Sequence, residues 1–264
     1  MLKSLKSFIL FTSILFLSAF SPHKKPVTIY IIGDSTVANY ATNYDEGKDY
    51  YKTRYPVAGW GQVFPEFFTR DALKDFRHLI KADGVIVNNR ARGGRSTRTF
   101  FQEGRWRTIT EHLHEGDLVL MQFGHNDAAE DKPERYVNLQ GYKEFLRLFV
   151  TQTREKGAIP IILTPVCRNY PWKDGCLENV HGEYPMAAMS LAKEMGVFYI
   201  DLNQLSMEFF SGKGQDFVTQ NYFMNFGPDI YEAYPEGQSD NTHFQTEGAK
   251  AVAGLVFEAM KQLK

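Results

Sequence analysis

Five short apolar runs, each followed by turn-forming or polar residues, constrain the fold of this chain more than any other feature. They are Val27–Ile32, Gly84–Val87, Leu118–Phe123, Ile159–Leu163 and Val197–Ile200. Runs of this length, rich in β-branched residues, read as strands buried in a sheet. Helical spacing appears between them. From Leu139 to Thr153, apolar Leu139, Tyr142, Phe145, Leu146, Phe149 and Val150 recur every three or four residues, and Pro185–Met195 and Glu247–Leu263 carry the same pattern. Strands that alternate with helices predict an α/β chain: a five-stranded parallel sheet, doubly wound, in three layers. Ligands of such sheets bind beyond the carboxyl ends of the strands, so chemistry is expected after Ile32, Asn88, Phe123 and Leu163. The stretch Gly212–Ser239 reads as one long surface loop near that edge.

A length of 264 residues fits one domain with a substantial core. With 30 Lys+Arg against 31 Asp+Glu, the charge balance supplies no reason to bind nucleic acid. At the start, Lys3 and Lys6 precede an apolar run from Phe8 to Phe20, and polar Ser21-Pro22-His23 follows at once. That run is too short to span roughly 30 Å of hydrocarbon. Residues 1–21 are therefore expected to be a signal peptide, leaving 22–264 as a single domain that is exported, secreted or periplasmic, with no membrane association and a monomer as the default. Only Cys167 and Cys176 are present; in an exported chain they either close a short loop as a disulfide or remain as two thiols. Two cysteines are too few for a Cys-based zinc site, and the histidines of Glu111-His112-Leu113-His114-Glu115, two apart, face different ways on a helix. No metal and no cofactor are expected.

Four short motifs carry residues suited to acyl transfer. Gly33-Asp34-Ser35-Thr36 follows the first strand, where Ser35 is a candidate nucleophile at a helix start. Gly93-Gly94-Arg95-Ser96 follows the second, with Gly94 N–H a candidate oxyanion donor. After the third, Gly124-His125-Asn126-Asp127 offers the Asn126 amide for the same purpose. In Asp240-Asn241-Thr242-His243, a separation of three lets Asp240 hold one imidazole nitrogen of His243 and leave the other as a base. Each motif also has a plain use as a cap or a turn, and alone decides nothing. Together they fall at loops that a doubly wound sheet gathers at one edge. They supply a nucleophile, a base, its orienter and three oxyanion donors, the N–H groups of Ser35 and Gly94 and the Asn126 amide.

In this order the motifs resemble the SGNH (GDSL-type) hydrolase superfamily. Gly59-Trp60-Gly61-Gln62, the run GGRSTRTFFQEGRW, Phe123-Gly124-His125-Asn126-Asp127 and Asp240-Asn241-Thr242-His243 are similar to the rhamnogalacturonan acetylesterase family within it. Thr36 replaces the Leu of the commoner GDSL form, as is familiar in that narrower family. The resemblance implies a flavodoxin-like α/β/α fold (the SGNH hydrolase fold) and metal-independent deacetylation of pectic polysaccharide. By motif, Ser35, Asp240 and His243 take the catalytic roles, with Ser35, Gly94 and Asn126 as the oxyanion hole.

Six arginines fall within eighteen residues, Arg90 to Arg107, and guanidinium forks suit the carboxylates of galacturonate. Arg95 and Arg98 are therefore expected to touch substrate, together with His125 and Trp172; a solvated helix face is the plainer reading of the run. The expected partner is an acetylated polysaccharide or oligosaccharide. Open alternatives are an acetyl group on another glycan such as xylan, a short-chain lipid ester or thioester, and a glycan-binding protein without catalysis.

Overall fold

The computed structural model describes residues 25–44 and 47–264; the expected signal segment at 1–21 lies outside them. Strand β1 (Val27–Gly33) is followed by helix α1 (Tyr50–Thr53), strand β2 (Val57–Ala58), helix α2 (Trp60–Val63) and two 3-10 turns at Phe64–Phe67 and Ala72–Phe76. Strand β3 (Val85–Asn89) leads to α3 (Thr97–Gln102) and α4 (Arg105–Thr110), and β4 (Leu118–Gln122) leads to α5 (Leu139–Glu155). After β5 (Ile159–Leu163) come β6 (Trp172–Lys173), β7 (Cys176–Leu177) and α6 (Tyr184–Met195). The chain closes with β8 (Phe198–Ile200), α7 (Leu202–Lys213), α8 (Gln215–Asn221), β9 (Phe223–Phe226), β10 (Gln238–Gln245) and α9 (Thr246–Lys261).

The five expected strands pair in parallel in the order β3-β1-β4-β5-β8. Period-two alternation sends their side chains to two cores. Ile29, Ile31, Leu118, Leu120 and Ile161 pack with Trp60, Phe210 and Val252 from α2, α7 and α9. Tyr30, Ile32, Val119, Met121 and Ile162 pack on the other face with Phe100, Tyr142, Phe149 and Leu191 from α3, α5 and α6. The fold is thus the expected three-layer α/β/α of the SGNH hydrolases. The helices start and stop where local chemistry directs: the Asn138 side chain accepts the Gly141 N–H at 2.8 Å ahead of α5. Pro185 opens α6, and Gly196, in the left-handed region at φ 59°, ends it.

Connections out of β1 and β4 leave the sheet in opposite directions, toward β3 and toward β5. Their carboxyl ends therefore border a crevice, with Gly33 opposite Gln122 in register.

Two expectations are corrected, and the alternative left open for the cysteines is decided. Gly212–Ser239 is not one loop: it contains the end of α7, then α8 and β9. Phe223 folds inward, its ring 5.5 Å from Phe210 and 4.9 Å from Phe244. Strand β9 pairs with β10, and β10 with β2, in a small antiparallel sheet beside the main one. Ser35 does not start a helix; the chain makes a single turn, closed by Ala38 N–H on Asp34 C=O at 3.1 Å. The two cysteines are unpaired, with Cys167 buried and Cys176 exposed, and burial pushes the Cys167 thiol up to about 12.

Glycines in α9 give a test of this packing with opposite signs. A Cβ at position 248 would lie 2.1 Å from the Tyr222 carbonyl oxygen, whereas one at 254 meets nothing closer than a Phe67 ring atom at 3.6 Å. Gly248→Ala is expected to lower stability by about 2 kcal/mol despite better helix propensity. Gly254→Ala is expected to raise it by roughly 0.5–1 kcal/mol. Urea unfolding midpoints measure both.

Candidate active site

Beneath the turn after β1, a chain of buried hydrogen bonds fixes the position of Ser35. Trp60 Nε1–H donates to Gln122 Oε1 at 2.8 Å, Gln122 Nε2–H to Thr36 Oγ1 at 2.8 Å, and Thr36 Oγ1–H to Asp34 Oδ1 at 2.8 Å. The Thr36 backbone N–H reaches the same Asp34 oxygen at 2.9 Å. A Leu at position 36 would break this chain, so the hydroxyl there has a local purpose. Gly59 allows α2 to approach: a Cβ on it would sit 2.4 Å from the Ala38 backbone. Tyr40 OH donates to the Ser35 carbonyl at 3.1 Å.

The loop after β3 is tied to this turn and to the loop after β4. Gly93 N–H donates to Tyr44 OH, whose ring stacks on Tyr40 at 4.7 Å and lies under the Arg92 guanidinium at 4.1 Å. Arg92 also donates to the Asn43 carbonyl. Asn126 Nδ2 donates one hydrogen to the Arg95 carbonyl at 3.0 Å, which orients the amide and leaves its second hydrogen available. Asp127 Oδ1 accepts the Thr97 N–H at 2.9 Å and the Thr97 hydroxyl at 2.6 Å. Gly94 has φ 78°, a conformation that favours glycine.

Asp240 and His243 lie on β10, not in the simple turn that their spacing suggests. A bulge between Asp240 and Phe244 brings both side chains to one side. Asp240 Oδ2 meets His243 Nδ1 at 2.6 Å, and Asp240 Oδ1 accepts the N–H groups of Thr242 at 2.7 Å and His243 at 3.1 Å. Burial raises the Asp240 carboxyl, but the His243 hydrogen bond and charge and the two N–H groups outweigh it, so the net shift is downward. Asn225 Nδ2–H on the Asp240 carbonyl and Asn169 N–H on the Asn241 carbonyl anchor the segment from either side.

These pieces meet. Ser35, Gly94, Asn126, Asp240 and His243 all line one cavity of about 490 Å³ at the carboxyl edge of the sheet. His125 lines it too. Its Nδ1 accepts Arg168 Nε–H at 3.4 Å, so this nitrogen carries no hydrogen and must be the acceptor from His181 Nε2–H at 3.1 Å. Burial holds both imidazoles neutral, pulling His125 well below its ordinary value and His181 down to about 3, aided by the Arg168 charge.

Three expected substrate contacts lie elsewhere. Arg95 pairs with Glu103 at 3.0 Å and donates to the Gly93 carbonyl at 2.8 Å. Arg98 Nη2 is held by the carbonyls of Pro133 and Tyr136. Trp172 Nε1–H donates to Asn169 Oδ1 at 3.0 Å. None of the three lines the cavity; Arg90, Arg92 and Arg105 line a separate one of about 370 Å³. The cations that do line the site are Arg54, Lys132, Arg135 and Arg168, which carry no motif or periodicity in the sequence. Among the described residues no cluster of His, Cys, Asp and Glu could hold a metal ion.

Asp34 and Asp127 are both fully enclosed, and the second carboxyl oxygen of each lacks a hydrogen-bond partner. Burial lifts Asp34 to about 6 and Asp127 to about 7. A carboxyl raised on folding binds protons in the native state that the unfolded chain has already released. Its stabilising effect is therefore complete below about pH 4 and lost as pH rises through 7. Asp127→Asn keeps an acceptor for Thr97 and cannot ionise. It should match wild type near pH 4 and exceed it in unfolding midpoint at pH 7.5.

The chain is similar to known proteins of one family. The GDSL-like lipase/acylhydrolase family matches residues 31–251. Rhamnogalacturonan acetylesterase RhgT of Bacillus subtilis is 38% identical over 240 residues, covering 91% of this chain and 92% of the relative. A rhamnogalacturonan acetylesterase of Emericella nidulans is 27% identical, covering 88% of this chain and 84% of its own. Among solved structures, protein YxiM of Bacillus subtilis superposes with a TM-score of 0.70 at 28% identity, over 90% of this chain and 57% of that one. An acetylxylan esterase of Geobacillus stearothermophilus shares the fold with a TM-score of 0.55 at 17% identity, over 90% of this chain and 95% of that one. On this evidence the chain belongs to the GDSL-like lipase/acylhydrolase family and is a carboxylic ester hydrolase.

Proposed function

We propose that the protein is a serine esterase that removes acetyl groups from acetylated pectic polysaccharide of the rhamnogalacturonan type. The observation that carries this reading is the convergence of Ser35, Gly94, Asn126 and the hydrogen-bonded Asp240–His243 pair on one cavity. Relatives named as rhamnogalacturonan acetylesterases support the choice of acyl group and glycan.

In this mechanism Ser35 Oγ attacks the acetyl carbonyl while His243 Nε2 takes its proton. Asp240 holds Nδ1–H, which fixes the tautomer and stabilises the imidazolium. The carbonyl electron pair moves onto oxygen, which is received by the N–H groups of Ser35 and Gly94 and the second Asn126 amide hydrogen. One such donor is worth about 3–4 kcal/mol at the transition state. Collapse of the tetrahedral intermediate breaks the bond to the sugar oxygen, and His243 protonates that oxygen as it leaves. Water, deprotonated by His243, then attacks the acetyl-enzyme; collapse breaks the bond to Ser35 Oγ, which takes the proton back from His243 as acetate leaves. The polar, cation-lined cavity suits a sugar better than a long acyl chain. Residues 22–264 form the catalytic domain in this reading. The basic start and short apolar run of residues 1–21 support export to where polysaccharide is met. Among the described residues, no helix is long and apolar enough to cross a membrane.

Ser35→Ala is expected to abolish acetate release from acetylated rhamnogalacturonan, and Asn126→Ala to lower kcat by roughly 10²–10³-fold. Turnover by Ser35→Ala at the wild-type rate, with native circular dichroism, overturns the mechanism. A serine-directed organophosphate should label Ser35 in wild type.

A further inference from the structure

The cavity around Ser35 has four cationic side chains and one carboxylate, Asp240, whose charge is committed to His243. Among the described residues, Lys132 and Arg168 have no carboxylate within ion-pair distance. Arg168 is held instead by neutral groups, with Nε–H on His125 and Nη1–H on Tyr170 OH at 2.6 Å. Arg135 has one contact with an acid, the exposed Glu134 at 3.8 Å, a separation that offsets little charge at a surface. Arg135 Nε is buried and lacks a hydrogen-bond partner.

Position matters as much as charge. A Cβ at residue 94 would meet Arg135 Nη1 at 3.6 Å, so this guanidinium lies against the glycine assigned to the oxyanion hole. Lys132 and Arg135 share one hydrogen-bonded turn, with Arg135 N–H on the Lys132 carbonyl at 3.0 Å. Both line the cavity. Like charges gathered without counter-charge repel one another, and a ligand that brings an anion relieves this. A planar fork with unused donors selects a carboxylate over a hydroxyl.

We propose that Arg135, with Lys132 beside it, forms a carboxylate-binding subsite that receives a uronate residue of the glycan next to the acetylated sugar. This rests on the acetylated-glycan reading of the same site and makes the two side chains determinants of its specificity. The six-arginine run is not this reader; the structure assigns the role to the turn after Asn126.

The test compares an acetylated galacturonate-containing oligosaccharide with the same oligosaccharide after reduction of its carboxyls to primary alcohols. Wild type should favour the carboxylate form by roughly tenfold or more in kcat/KM, mainly through KM, and the preference should shrink with added salt. In Arg135→Gln the preference should fall to within about twofold, and in Lys132→Gln to an intermediate value. If Arg135→Gln does not fold, the wild-type comparison and Lys132→Gln decide. Equal rates on the two forms by wild type overturn the subsite and leave the esterase reading intact, as does a wild-type preference in a folded Arg135→Gln. Acetate release from acetylated xylo-oligosaccharide but from neither pectic form overturns the glycan reading and the subsite with it.

Discussion

Divergence of two neighbouring strands is the constraint on which the site depends. Because β1 and β4 pair directly and their connections part, a crevice opens at their carboxyl ends, where the backbone beyond Gly33 and Gln122 makes tight turns. The Trp60–Gln122–Thr36–Asp34 chain then fills the space beneath with directed hydrogen bonds, so the turn bearing Ser35 is set by buried donors and acceptors. Asn126 and Asp127 repeat the logic one strand away, each clasping the backbone of the loop after β3.

Much of this was legible from the residues. Strands buried on both faces leave apolar runs that no loop would tolerate, and α5 shows its buried face in the spacing of Tyr142, Leu146 and Phe149. Ser35, Gly94 and Asn126 stand out because each follows a strand end, and Asp240 with His243 because the pair is local. The mechanical parts between them are harder to read. The bulge in β10 and the pairing of β9 with β10 arise from aromatic packing across more than twenty residues, which has no short-range period. The cations of the cleft come from polar stretches with no pattern, brought together only by tertiary structure. The arginine run misleads for a related reason. Neighbours on α3 and α4 point around the helix, and Glu103 and nearby carbonyls absorb the ones closest to the site.

Buried ionisable groups in the molecule divide into two kinds. Asp240 receives enough hydrogen bonds and positive charge to stay ionised despite its enclosure. Asp34 and Asp127 receive fewer, and burial prevails. The histidines at 125 and 181 stay neutral, so the one that borders the cleft offers Arg168 a hydrogen-bond acceptor without adding a second positive charge.

In the proposed mechanism the nucleophile and its base stand on different supports. Ser35 rises from the five-stranded sheet, whereas His243 sits on the small antiparallel sheet, whose Phe223 and Phe244 are buried in the core that the two sheets share. The register of the small sheet against that core thus sets the spacing of imidazole and hydroxyl, so a change at Phe223 or Phe244 reaches the site without touching it.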